Sequence, residues 1–416
     1  MSGSQAETFG PVAEQHAVSV QPTSASSVKY NLAIAYLRTF VVVLVVAVHS
    51  FVAYLPIIPR PLASLRAMPH AWMLFPVVDS QRWVGSSLLV GFGDTCFMGL
   101  FFFLSGLFVW NSLMRKGSGA YLRDRFLRLG LPFLAAAALV APLAYYPAYL
   151  QTGANPSPAA FGKEWLSLGE WWAGPAWFVW VLLAFDCLAV LCFRLMPSSI
   201  KAPARVWRGA LPGPVASFAA LIAVSAAAYI PFLHIFGPIA WARLGPFFFQ
   251  TSRLLHYVVY FAAGIIVGAY GIERGLLAPG GKLARRWPAW TLAALGAYWF
   301  VVIAAILIAT SRISLRTWET LGGFAFVLSC AASGFAFLSI FLRFARTRGR
   351  VFDSLTRNIY GIYLIHIVFV TWLQYGLLRA QMPPIAKGSI VFLSALTLSW
   401  GAVAALRRLP TVARVI

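Results

Sequence analysis

The chain has 416 residues, 60% of them hydrophobic and only 11% charged, with a net charge of +22. That balance excludes an ordinary soluble domain and describes a polytopic membrane protein. The positive charge does not point to nucleic acid: Lys and Arg cluster in alternate loops between apolar runs, and no long basic stretch interleaves with exposed aromatics.

Residues 1–29 are polar, rich in Ser, Ala and Gln, and lack apolar periodicity, which predicts a disordered tail. The tail does not read as a secretory signal, because the next apolar run is long enough to span and no small-residue cleavage site follows it. Ten apolar segments of about 20 residues come next, at 31–55, 86–112, 129–150, 176–196, 214–234, 250–272, 288–310, 320–342, 356–378 and 388–408. The expected fold is all-α, a polytopic membrane helical bundle surrounded by lipid and occupying residues 30–410. Pro132 and Pro142 predict a kink in the third segment. The loops 113–128, 195–213, 273–287 and 343–357 and the C-terminal tail carry most of the Lys and Arg, including Arg115, Lys116, Lys201, Arg205, Arg208, Arg274, Arg346 and Arg414. The positive-inside rule then puts both termini in the cytoplasm.

The first segment holds Arg38 and His49. Ionisable side chains are expensive in the hydrocarbon core and by default mark a function facing the protein interior. Eleven residues at about 100° each return to nearly the same helix face, with a rise of about 16 Å. One face therefore carries a fixed cation toward the cytoplasm and an imidazole toward the exterior, suited to an anion clamp and a general base. The second segment contributes Asp94. Its Ser105–Gly106 pair reads first as a close helix-packing site.

The loop before Pro132 places Arg125 and Arg128 three residues apart, so that on a helical turn they project together and can chelate phosphate. Alone they read as ordinary positive-inside charge. Asp186 in the fourth segment calls for a cationic partner. Trp165, Trp171, Trp172, Trp177 and Trp180 gather around the second long outer loop, as an interfacial belt or as stacking faces for a sugar. In the sixth segment, His256 lies near the depth of His49, as does Asp94, and either is placed to orient the His49 ring. In the ninth, Tyr363 and His366 share a face, as a proton relay or as a structural hydrogen bond. The four cysteines lie in apolar segments without metal-type spacing, so neither a disulfide nor a metal site is expected. No HExxH, P-loop or GxSxG pattern stands out.

At these residues the chain resembles the acyltransferase-3 family of membrane acyltransferases. Arg38 and His49 match that family's Arg-X10-His motif, and Phe101-Phe-Phe-Leu-Ser-Gly106 resembles its second-helix pattern. Arg125, Arg128 and Pro132 are similar to its Arg-rich loop. Gly174-Pro-Ala-Trp-Phe178, Tyr260-Phe-Ala-Ala-Gly264 and Tyr363-Leu-Ile-His366 follow in family order. Gly99 stands where many members carry an aspartate. The resemblance implies an enzyme of the bacterial inner membrane that takes an acetyl- or succinyl-type group from cytoplasmic acyl-CoA to a hydroxyl of an extracytoplasmic glycan. Acyl-CoA is then a co-substrate, with no permanently bound cofactor. Arg125 and Arg128 would bind the donor, His49 and Arg38 would act in catalysis, and Asp94, Ser105, Trp177, His256, Tyr363 and His366 would support the acceptor or the base. A secondary transporter or exporter also fits ten helices with buried ionisable groups. It calls for an inverted repeat, which is not apparent.

Overall fold

The computed structural model describes residues 31–57, 73–169, 173–195, 213–244, 247–273, 275–413 and 415. The polar tail lies outside the described residues, as do Trp171, Trp172, Lys201, Arg205, Arg208, Arg274 and Arg414. Among the described residues, ten helical stretches are long and apolar enough to cross a membrane. In chain order they are α1 (Leu32–Val52), α2 (Val84–Gly106), α3 (Val109–Gln151), α4 (Gly174–Leu195), α5 (Pro214–Phe236), α6 (Thr251–Tyr270), α7 (Trp287–Ala309), α8 (Leu315–Phe344), α9 (Arg350–Gly376) and α10 (Pro384–Leu406). α1, α2 and α8 are mostly buried, whereas α5, α7 and α10 present exposed apolar side chains such as Val215, Leu292 and Leu393. That is the arrangement expected where lipid replaces water as the surrounding solvent.

Two contacts set the interior. α1 and α9 run parallel and in register. Tyr36 donates to Asp353 at 2.8 Å, Thr39 and Thr356 share a hydrogen bond of 2.8 Å, and His49 meets His366 at 3.3 Å, all at one sequence offset of 317. α2 and α6 touch backbone to backbone. A Cβ added at Gly106 would stand 2.3 Å from the Phe261 carbonyl oxygen, and one at Gly264 only 2.1 Å from that of Phe103. Small residues at this crossing permit the close approach that van der Waals packing in lipid requires. The Ser105–Gly106 site therefore does pack helices, through its glycine.

α3 departs from the predicted loop and kink. The helix already begins at Val109, inside what read as the end of the second segment, and it breaks at Gly117 (φ 74°). It then loosens into π-helix over Phe126–Gly130 and Ala136–Val140. The cause lies in its prolines, which lack the N–H that would bond the carbonyl four residues back. Pro132 orphans the Arg128 carbonyl, and Tyr360 of α9 donates its hydroxyl there at 2.6 Å. Pro147 orphans the Leu143 carbonyl, and Trp372 of α9 donates its indole N–H there at 2.9 Å. α9 thus braces α3 at two of its weakened turns.

Beyond the end of α1, residues 73–83 form a strap. Lys387, at the start of α10, pairs with Asp79 at 2.8 Å, and both side chains are only 1% exposed. Burial and the Asp79 carboxylate push the Tyr54 hydroxyl above its ordinary range. Gln151 brackets the Val78 peptide, accepting from its N–H at 3.0 Å and donating to its carbonyl at 2.5 Å. A short antiparallel hairpin, Trp241–Leu244 with Phe247–Gln250, precedes α6 where only a loop was expected.

Candidate active site

Two cavities open at opposite ends of α1. The first, of about 280 Å³, is lined by Arg38 of α1, Ser105 of α2, and Arg115, Lys116, Tyr121, Asp124, Arg125 and Arg128 of α3. Five cations and one carboxylate make it strongly electropositive. The carboxylate, Asp124, is bound by Lys116. Arg38 donates to the Leu104 carbonyl at 3.0 Å and lies 4.8 Å over the Phe108 ring, so its guanidinium is held in place. Asp186 finds the cationic partner it calls for in Arg125, at 3.4 Å, and also accepts a hydrogen bond from Tyr121. Arg125 in turn sits 5.0 Å over the Tyr121 ring. The i, i+3 pair Arg125 and Arg128 thus reaches one cavity together with Arg38 and Ser105.

The second cavity, of about 70 Å³, is lined by His49, Met73, Pro175, Trp177, Trp241, Val370 and Gln374, among others. Trp177 and Trp241 meet edge to face at 5.9 Å, so the hairpin supplies an aromatic wall that the sequence reading did not place. Gln374 is nearly buried and donates to the carbonyls of His49 at 2.9 Å and Ser50 at 3.3 Å.

The hydrogen bonds of the two histidines define their tautomers. A carbonyl only accepts, so the His366 Nδ1–H donates to the Tyr363 carbonyl at 2.8 Å and leaves Nε2 with a lone pair. The His49 Nδ1–H then donates to the Val45 carbonyl at 2.9 Å and points also at His366 Nε2 at 3.3 Å. Among the described residues no partner engages His49 Nε2. That nitrogen is the lone pair available to take a proton at the cavity.

Three expected pairings are different in the structure. The His49 ring is oriented by His366 and Val45, not by Asp94 or His256. Asp94 forms a two-pronged ion pair with Arg253, both contacts at 2.6 Å, and Arg253 packs 4.5 Å over Phe326. His256 shares a 2.6 Å hydrogen bond with Ser225 and is enclosed by Tyr229, Tyr260 and Phe326. Equal depth does not bring residues together when their helices turn those faces elsewhere. Tyr363 does not pair with His366 through its hydroxyl, which donates instead to the Pro175 carbonyl. Trp165 packs on Tyr145 and Phe161, and Trp180 stacks on Phe133 at 4.7 Å, so neither joins Trp177 at the cavity.

Gln374, Trp241 and the Asp79–Lys387 pair were not singled out in the sequence. Only Gln374 carried a signal: with His366 and Val370 it repeats at i, i+4, i+8 on one helix face. A family model described as an acyltransferase domain, the acyltransferase-3 type, matches residues 31–404. No curated protein and no solved structure matches the chain.

Proposed function

The chain belongs to the acyltransferase-3 family, as an integral multi-pass membrane acyltransferase, and on that premise we propose that it carries a short acyl group from acyl-CoA to a glycan hydroxyl outside the cytoplasm. One observation supports this above the others: a single helix presents Arg38 to a basic cavity at one end and His49 to an aromatic-walled cavity at the other. The basic cavity is the cytoplasmic one, in keeping with the charge bias of the loops.

Coenzyme A carries several phosphate charges, and Arg38, Arg125 and Arg128 offer guanidiniums that bind such groups in two-pronged fashion. Asp186 and Tyr121 hold Arg125 in position for them. At the far cavity, Trp177 and Trp241 provide faces on which a pyranose ring can stack. His49 Nε2 takes the proton of the acceptor hydroxyl as its oxygen attacks the thioester carbonyl. The new C–O bond forms, the C–S bond breaks, and the proton passes from His49 to the departing thiolate. His366 keeps the His49 ring in the tautomer this requires. Arg38 binds the donor and is not within reach of the reacting carbonyl.

The test is mass spectrometry of cell-envelope glycans from cells carrying the wild-type gene, no gene, or a His49→Ala gene. Acyl-modified glycan in the first case only supports the reading. Transport of an unmodified solute by the purified protein, without consumption of acyl-CoA, overturns it.

A further inference from the structure

The two cavities are separate, and no described residue lines both. The rise from Arg38 to His49 is about 16 Å along α1, and the chain neighbours of three touching rings, from three helices, place them along that stretch. Phe101 lies one turn along α2 from Ser105, which lines the basic cavity. Phe178 follows Trp177, and Pro175 precedes it, both lining the far cavity. Tyr363 lies between Tyr360, bonded to the Arg128 carbonyl, and His366, bonded to His49. The ring centroids form a closed triangle: 5.5 Å from Phe101 to Phe178, and 6.2 Å from each of them to Tyr363. Phe102, fully buried, backs this triangle at 4.8 Å from Phe178.

Such a wall has a definite selectivity. A phosphate cannot enter it, because an unpaired charge loses its hydration there without compensation. A thin apolar or thioester chain passes when rings turn aside, since ring rotation breaks no hydrogen bond except that of Tyr363 to Pro175. What passes must then share the space with the rings that turn aside, so the bulk of Phe101 and Phe178 limits the length of the acyl group that reaches His49.

We propose that Phe101, Phe178 and Tyr363 form a closed aromatic gate between the donor and acceptor cavities, which admits short acyl groups to His49 and excludes long ones. The role assigned to the acyl group rests on the acyl-CoA reading above. The gate itself rests on the geometry alone. Its resting state seals the bundle against protons and water, and its ring sizes decide which donors are used.

Two measurements on the full chain test this. Reconstituted in liposomes holding a pH-sensitive dye, the wild-type protein keeps a proton gradient, and Phe101→Ala and Phe178→Ala admit protons faster. In thiol-release assays with acetyl-, butyryl- and octanoyl-CoA and water as the acceptor, the wild type uses the two short donors. The Ala variants raise the octanoyl-to-acetyl rate ratio at least about tenfold, the scale on which pocket size discriminates methylenes. Phe101→Leu and Phe178→Leu keep apolar bulk and shift both readouts in the same direction by less, which covers the case of Ala variants that do not insert. Inserted variants with wild-type proton entry and a wild-type donor ratio overturn the gate. Wild-type protein that releases no thiol from any donor overturns the acyl-CoA reading, and faster proton entry in the variants would still support the gate.

Discussion

His49 Nδ1 and His366 Nε2 lie 3.3 Å apart on two parallel helices, each ring also anchored to a carbonyl of its own helix. The relation makes one histidine the orienting partner of the other, and His49 lines the far cavity. His49→Ala should therefore lower acyl transfer about 10²- to 10⁴-fold, the usual contribution of a positioned base, while the protein still inserts. His366→Phe keeps bulk but loses the acceptor for the His49 N–H. It should reduce kcat with little change in KM for acyl-CoA, as steady-state kinetics on purified protein would show.

Arg128 and Arg125 predict a different kinetic signature. Arg128→Ala should raise KM for acyl-CoA about tenfold or more, since a hydrogen bond to a charged group contributes about 1.5–3 kcal/mol. Raising ionic strength should weaken wild-type donor binding in the same direction. Equal KM values at low and high salt would argue against phosphate recognition in this cavity.

Tyr360 and the Arg128 carbonyl link helix integrity to the same cavity. Tyr360→Phe removes the donor and leaves that carbonyl, orphaned by Pro132, without its partner. The expected cost is about 0.5–1.5 kcal/mol, the net contribution of an ordinary hydrogen bond. Thermal unfolding in detergent reads it, and donor KM should rise in parallel as Arg128 loses its support.

Lys387 and Asp79 form a buried ion pair that anchors the strap over the far cavity. Lys387→Met alone strands a carboxylate and should destabilise the protein by about 3–5 kcal/mol. The double variant Asp79→Leu with Lys387→Met should recover most of that loss, because paired hydrophobic replacements of a buried ion pair are often close to neutral. Comparison of the three unfolding midpoints decides the matter.

Gly264 faces the Phe103 carbonyl where α2 and α6 cross. Gly264→Leu forces two backbones apart and should prevent assembly, seen as loss of monodisperse protein on gel filtration. Gly296→Ala, where nothing lies within 4 Å of the added Cβ, should be tolerated.

Much of the fold was legible beforehand because lipid imposes a coarse rule. A span must be long, apolar and internally hydrogen-bonded, and ten segments satisfied it at nearly the places where ten helices stand. The Arg38–His49 stripe was legible for the same reason, since an ionisable group in such a segment stands out against its background. The π-helical turns of α3 were half legible: Pro132 and Pro142 announced a disturbed helix, but not that α9 side chains would satisfy the carbonyls freed by Pro132 and Pro147. The hairpin that brings Trp241 to the far cavity left no signal strong enough to distinguish it from a loop.

Composition and periodicity by themselves determined that this chain is a bundle of membrane-spanning helices with a cation and an imidazole on one face of the first. They could do so because those properties depend only on residues near one another along the chain. The rotation of each helix about its axis was decided by tertiary packing. It turned His49 toward His366 rather than Asp94, gave Asp94 to Arg253, and brought Arg38 into one cavity with Arg125 and Arg128. Depth in the bilayer can be counted along a sequence, whereas facing depends on how side chains hundreds of residues apart fit one another.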